Sequence, residues 1–147
     1  KGAEQGSPDA QYDLGVAFDS GCGMSTNDGE RAMEWYLRAA EQGHLQAQLS
    51  LGAMFENGRG IPKDELRAAE WYRKAAEQGS AEGQYNLCFL YEDGRGVTQD
   101  VVCAAEWCMK SASQGFSHAQ FNLGLMYEDG RGVPKDSVVA VEWYKKA

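Results

Sequence analysis

Four tryptophans at intervals of 36 residues constrain the fold of this 147-residue chain more than any other feature. Each one follows a glutamate, and all but one precede a tyrosine; they are Trp35, Trp71, Trp107 and Trp143. A period of this length is typical of proteins built from stacked units, in which each unit buries its apolar face against its neighbours. The chain is therefore predicted to contain about four similar units.

A glycine-rich segment recurs with the same period, as Glu56–Asp64, Glu92–Asp100 and Glu128–Asp136. An earlier copy, Asp19–Asp28, is one residue longer and carries Cys22 where the other three carry arginine. A Gln-Gly pair ends each of the first three units, at Gly43, Gly79 and Gly115, and another pair precedes the first unit at Gly6. We expect one domain over residues 1–147, with repeats at approximately 7–43, 44–79, 80–115 and 116–147, and with residues 1–6 as the tail of a preceding repeat.

Apolar residues inside a unit recur at helical spacing. Ala47, Leu51 and Phe55 are four residues apart, and Ala68, Trp71 and Ala75 fall at steps of three and four, so each unit is predicted to be a helix-turn-helix hairpin. Aspartates are placed to cap the second helix of each hairpin, namely Asp28, Asp64, Asp100 and Asp136. Glycines are placed to close its last turn, namely Gly43, Gly79 and Gly115.

Small residues recur in the middle of the first helix. Gly15, Gly52 and Gly124 occupy matched positions, and Cys88 takes the same position in the third unit. Glycine there costs about 1 kcal/mol relative to alanine, so we expect a close helix approach as compensation.

The Gly-Arg-Gly segments lack the strand and the Gly-Lys-Ser/Thr of a phosphate loop. Their arginines are expected to pair with carboxylates such as Glu56, Glu92 and Glu128, or with helix ends.

These residues resemble the Sel-one-like repeat, a relative of the tetratricopeptide repeat with a longer turn. The pattern from Ala119 to Asp136, followed by Ala140, Glu142, Trp143 and Tyr144, carries the resemblance, which covers essentially the whole chain. It implies an all-α, right-handed α-α superhelix (solenoid). It also implies an adaptor or scaffold for protein complexes rather than an enzyme.

The charge balance limits the class of partner. With 22 acidic and 14 basic side chains the net charge is −8, which disfavours nucleic acid and anionic lipid and favours a protein or peptide partner of basic character. The sequence has no run of 18 apolar residues, so direct membrane insertion is not expected. Both ends interrupt the repeat pattern, which predicts that uncapped termini could associate end to end.

The cysteines and histidines form no motif for catalysis or metal binding. Cys22, Cys88, Cys103 and Cys108 occupy four different repeat positions without C-x-x-C spacing, which indicates neither a zinc site nor a repeated disulfide. Cysteine-rich relatives place a pair in every unit, so the missing pattern favours reduced thiols and a reducing compartment. We therefore expect no catalytic residue, no bound metal and no cofactor.

The resemblance implies that the first helices line a concave groove. Transferred from tetratricopeptide relatives, this geometry gives an apolar floor from two columns of residues: Tyr12, Leu49, Tyr85 and Phe121, and Val16, Ala53, Phe89 and Leu125. Two polar columns run beside it: Asp13, Ser50, Asn86 and Asn122, and Asp9, Gln46, Glu82 and His118. Amide side chains beside apolar anchors suit an extended segment or an amphipathic helix. The alternative is that the aromatic residues are core between helices.

Three functions stay open from the sequence. The first is a scaffold that binds a peptide or partner domain in the groove. The second is a structural spacer that acts through its ends or convex face. The third is a β-lactam-binding enzyme like some cysteine-rich relatives, although the chain has no Ser-x-x-Lys to supply the nucleophile and its base.

Overall fold

The computed structural model of the chain describes residues 6–21 and 26–147, and this part contains eight α-helices and no strand. The helices are α1 (Pro8–Asp19), α2 (Thr26–Glu41), α3 (Leu45–Asn57), α4 (Glu65–Glu77), α5 (Ala81–Asp93), α6 (Val101–Ser113), α7 (Ser117–Asp129) and α8 (Ser137–Lys146). The predicted all-α repeat fold is confirmed. The tail expected before Gly6 and the substituted Cys22 lie outside the described residues.

The chain divides into two compact units, Lys1–Trp71 and Tyr72–Ala147. In the first unit α1 packs against α2, and α2 against α3. In the second, α5 packs against α6, α6 against α7, and α7 against α8. The core of the second unit is made of small and apolar side chains from α5 to α8, with Leu123 and Met126 fully buried at its centre.

Three of the four predicted caps are present. Asp64 accepts a hydrogen bond from the backbone of Arg67, and the carboxylates of Asp100 and Asp136 each accept two backbone N–H groups at the start of their helices. The prediction for Asp28 was wrong, because α2 already begins at Thr26 and Asp28 lies in its first turn. Its turn departs from the repeat sequence, so the register used for the prediction does not apply there.

Two of the three mid-helix glycines, Gly15 and Gly124, lie where two helices nearly touch, as predicted. A Cβ atom on Gly15 would lie 2.5 Å from a ring carbon of Tyr36, and one on Gly124 would meet the ring of Tyr144 in the same way. Gly15 and Tyr36 belong to the two helices of one hairpin, as do Gly124 and Tyr144. The absence of a side chain at these points therefore lets a tyrosine of the second helix lie flat against the first.

The turn arginines join consecutive repeats. Arg59 pairs with the carboxylate of Asp19 at 3.3 Å and donates to the Asp19 backbone carbonyl, while Arg131 pairs with Glu92 and Asp129. Pairing with carboxylates was predicted and is confirmed for these two arginines. In both cases, however, one partner lies at the end of the first helix of the preceding repeat, so the ion pair connects two hairpins rather than stabilising one turn.

We predict that Gly124→Ala destabilises the protein by about 1–3 kcal/mol, because the added methyl group overpacks the contact with Tyr144. Urea unfolding followed by circular dichroism measures the change. The same substitution made in a Tyr144→Ala background removes the clashing ring and should cost clearly less. An unchanged unfolding midpoint for Gly124→Ala alone would contradict the close contact.

A second prediction concerns the link between repeats. Arg131→Gln should lower the free energy of unfolding by about 1–3 kcal/mol, because the Glu92 side chain is only 12% exposed and would lose its charged partner. The control is Lys63→Gln, whose pair with Glu65 is more exposed and should contribute under about 1 kcal/mol. Equal effects of the two changes in urea unfolding would refute a special role for Arg131.

Candidate partner-binding surface

Side chains of α5 and α7 line an open depression of about 550 Å³ in the second unit. We call it the aromatic depression, and it is lined by Tyr85, Phe89, Ser117, His118, Phe121, Asn122, Leu125 and Ala147. Residues four apart lie one turn apart on the same helix face, which places Tyr85 next to Phe89 on α5 and Phe121 next to Leu125 on α7. Six residues predicted for the groove thus meet on one surface.

Tyr85 is the centre of the ring contacts. Its ring packs edge-on against Phe89 with centroids 4.8 Å apart and lies 5.2 Å from Phe116 and 6.1 Å from His118. Burial raises the pKa of Tyr85, and the nearby thiols of Cys108 and Cys88 raise it further, so the phenol keeps its proton. Tyr85 is therefore a neutral part of the surface.

The rings around Tyr85 differ in exposure. Phe121 is 53% exposed and contacts the ring of Tyr144 at 5.5 Å. Phe89 and Leu125 are half-buried, and His118 is exposed. The half-buried side chains of Phe89 and Leu125 therefore lie beside one exposed phenylalanine, Phe121, that a partner could contact.

The two asparagines beside the floor differ in their surroundings. Asn86 is half-buried. Asn122 is only 7% exposed, and its amide nitrogen lies 3.7 Å from the sulfur of Cys88 and 3.9 Å from that of Cys108. The Asn122 amide nitrogen is therefore directed at the core rather than offered to a partner. Glu82 is exposed one turn before Tyr85.

In the first unit the corresponding residues form a different arrangement. The ring of Tyr12 stacks on His44 at 4.7 Å, and the Nε2 atom of His44 lies 3.2 Å from the exposed carboxylate of Asp9. Ser50 is half-buried and hydrogen-bonds Tyr36. Leu49 is only 6% exposed, so it belongs to the core between helices rather than to a groove. Asp13 and Gln46 are exposed, as is Val16, while Ala53 is half-buried.

Sequence reasoning missed two features of the second unit. One is a depression of about 610 Å³ over α6, lined by Gln84, Glu106, Met109, Lys110, Ser113 and Gln114. Its walls are mostly long polar side chains, which no motif distinguishes from ordinary surface. The other is the contact of Cys88 and Cys108 with the same asparagine. The sequence signal for this contact was that the third repeat has Cys88 and Cys108 where the first and fourth repeats have glycine and tyrosine.

Residues 6–21 and 26–147 contain neither a metal-binding cluster nor a membrane-spanning helix. Within these ranges no group of three or more histidine, cysteine, aspartate or glutamate side chains is arranged to hold a metal ion. The helices described there are also too short or too polar to cross a lipid bilayer.

The repeated hairpins match a known family of repeat proteins. The family profile described as Sel1 repeat matches residues 8–44, 45–80, 81–116 and 117–147. A search of curated proteins found no match.

Solved structures give close matches over nearly the whole chain. A protective antigen of uropathogenic Escherichia coli strains that displays an SLR fold is 41% identical with a TM-score of 0.92, over 98% of this chain and 31% of that one. A Sel1 repeat protein from Oxalobacter formigenes is 36% identical with a TM-score of 0.86, over 98% and 57%. Helicobacter pylori cysteine rich protein B is 27% identical with a TM-score of 0.66, over 86% and 90%. The chain thus spans about a third and just over half of the first two proteins.

Proposed function

Because the chain belongs to the Sel1 repeat family, whose members are generally non-catalytic helical repeat scaffolds, we propose that it is a protein-interaction scaffold. In this proposal the aromatic depression between α5 and α7 holds a segment of a partner protein. The depression contains Phe121, the most exposed apolar side chain of the predicted groove.

The observation that carries the proposal is the exposure of Phe121 beside half-buried rings. An aromatic side chain that is 53% exposed still has much apolar area to remove from water, and aromatic residues in preformed pockets dominate binding energies. Its neighbours on the walls, Phe89 and Leu125, are held by packing, so little ordering cost is expected when a partner binds.

The chemistry of the partner follows from the surroundings. An apolar or aromatic side chain would fill the depression, and basic side chains beside it would lie near Glu82 and in the field of a chain whose net charge is −8. Such charge complementarity mainly accelerates association and selects among partners. We therefore propose an extended segment with one apolar anchor and flanking lysine or arginine.

The test is selection of random peptides displayed on phage against the purified chain, followed by calorimetry with the enriched peptides. We predict enrichment of sequences with an apolar anchor near lysine or arginine. Phe121→Ala and Phe89→Ala should each weaken binding about tenfold or more, since loss of an interface aromatic costs roughly 2 kcal/mol. Binding should also weaken with added salt.

Val138→Ala is the matched control, because Val138 is 72% exposed and lies outside the lining of the depression. It should bind the selected peptides like the unaltered chain. Peptides that bind the Phe121→Ala and Phe89→Ala variants with undiminished affinity would place binding elsewhere. Failure to enrich any peptide above a no-protein control would also count against the proposal.

A further inference from the structure

The third repeat differs from the others at two positions that face each other. In the first and fourth repeats these positions hold glycine and tyrosine, as Gly15 with Tyr36 and Gly124 with Tyr144, and the tyrosine ring lies against the glycine backbone. In the third repeat the same two positions hold Cys88, on α5, and Cys108, on α6. The repeat register therefore places two thiols at the closest approach of two packed helices.

Side-chain contacts agree with this placement. Both cysteines are fully buried in one core cluster. The amide nitrogen of Asn122 lies 3.7 Å from the Cys88 sulfur and 3.9 Å from the Cys108 sulfur, so a single amide group contacts both sulfur atoms. The Cys108 thiol also lies 3.3 Å from the backbone carbonyl of Ala119.

The two thiols also interact with each other. The pKa of Cys88 is raised, first by its hydrogen bond with Cys108 and then by burial. The pKa of Cys108 is lowered, first because it receives that hydrogen bond. Cys103 is the other cysteine of α6, and it is half-buried. Five residues on a helix separate it from Cys108 by about 140°, so it does not share this contact.

We propose that Cys88 and Cys108 are a reversible disulfide site that crosslinks the two helices of the third hairpin when the protein meets a small-molecule disulfide such as oxidised glutathione. The thiolate of one cysteine attacks the small disulfide, releases one small thiol and leaves a mixed disulfide. The second cysteine then attacks the protein sulfur of that mixed disulfide and releases the second small thiol. The protein loses two S–H bonds and gains one S–S bond, and the small disulfide is reduced to two thiols that take up the protons.

The reaction passes through an opened hairpin, because both sulfurs are buried in the folded chain. Cys88 and Cys108 are 20 positions apart, so the crosslink closes a short loop. Closing a loop of this size restricts the unfolded chain and should raise the Tm by roughly 5–10 °C.

The experiment is refolding of the chain from urea in a buffer of oxidised and reduced glutathione, so that burial does not keep the reagent away. Remaining thiols are then alkylated, and the mass and proteolytic fragments are determined. We expect a species lighter by two hydrogens in which Cys88 is linked to Cys108, with the higher Tm lost on reduction. Cys103→Ser is the matched control and should form the same link.

Single substitutions separate this site from unspecific oxidation. Cys88→Ser and Cys108→Ser should each lose the link and the Tm increase. Alkylation of both cysteines after refolding in the redox buffer would overturn the proposal. So would glutathione adducts on each cysteine without a crosslink, or a link from either one to Cys103 or Cys22.

Discussion

A hydrogen bond from a buried glutamine to the end of the preceding helix is the contact on which the stacking of hairpins depends. The side-chain amides of Gln48, Gln84 and Gln120 donate to the carbonyls of Ala40, Ala76 and Ala112. Each acceptor belongs to the last turn of a helix, where carbonyl groups lack a partner within the helix. The same carbonyls also accept the backbone N–H groups of Gly43, Gly79 and Gly115. A hairpin that slipped along its neighbour would lose this contact and leave a buried amide unpaired, which would cost about 1–3 kcal/mol. Nearby, Gln42 donates to Gln11 and Gln114 donates to Gln84, which joins these glutamines into small networks.

The parts of the fold that could be predicted are those set by local chemistry. The spacing of apolar residues predicted the hairpins, and the aspartates and glycines predicted most of the helix ends. A cap or a left-handed turn depends only on the residues beside it. Gly43, Gly79 and Gly115 have φ of 86°, 92° and 87°, as their positions indicated. Prediction failed at Asp28 because the register was transferred from the other turns into one whose sequence departs from them.

The candidate site was harder to predict, because its residues lie on helices that contact neighbours on several sides. Columns of equivalent residues do not share one environment: Leu49 is buried at 6% exposure whereas Phe121 is 53% exposed. The amide nitrogen of Asn122 contacts the buried sulfurs of Cys88 and Cys108, whereas the equivalent Ser50 hydrogen-bonds Tyr36. The partners of Arg59 and Arg131 could not be read from their own turns, since each arginine reaches the repeat before it.

The hydrogen bonds of Gln48, Gln84 and Gln120 with the preceding helix affect how a repeat protein of this kind can gain hairpins. In each bond the acceptor is a main-chain carbonyl, which every amino acid provides, so this hydrogen bond requires no co-adapted pair of side chains. A copied hairpin carries this glutamine together with its turn arginine and the carboxylate that pairs with the next arginine, so it brings both sides of the junction with it. Gene duplication in whole units would then extend the array, and the side chains on its open faces would remain free to diverge.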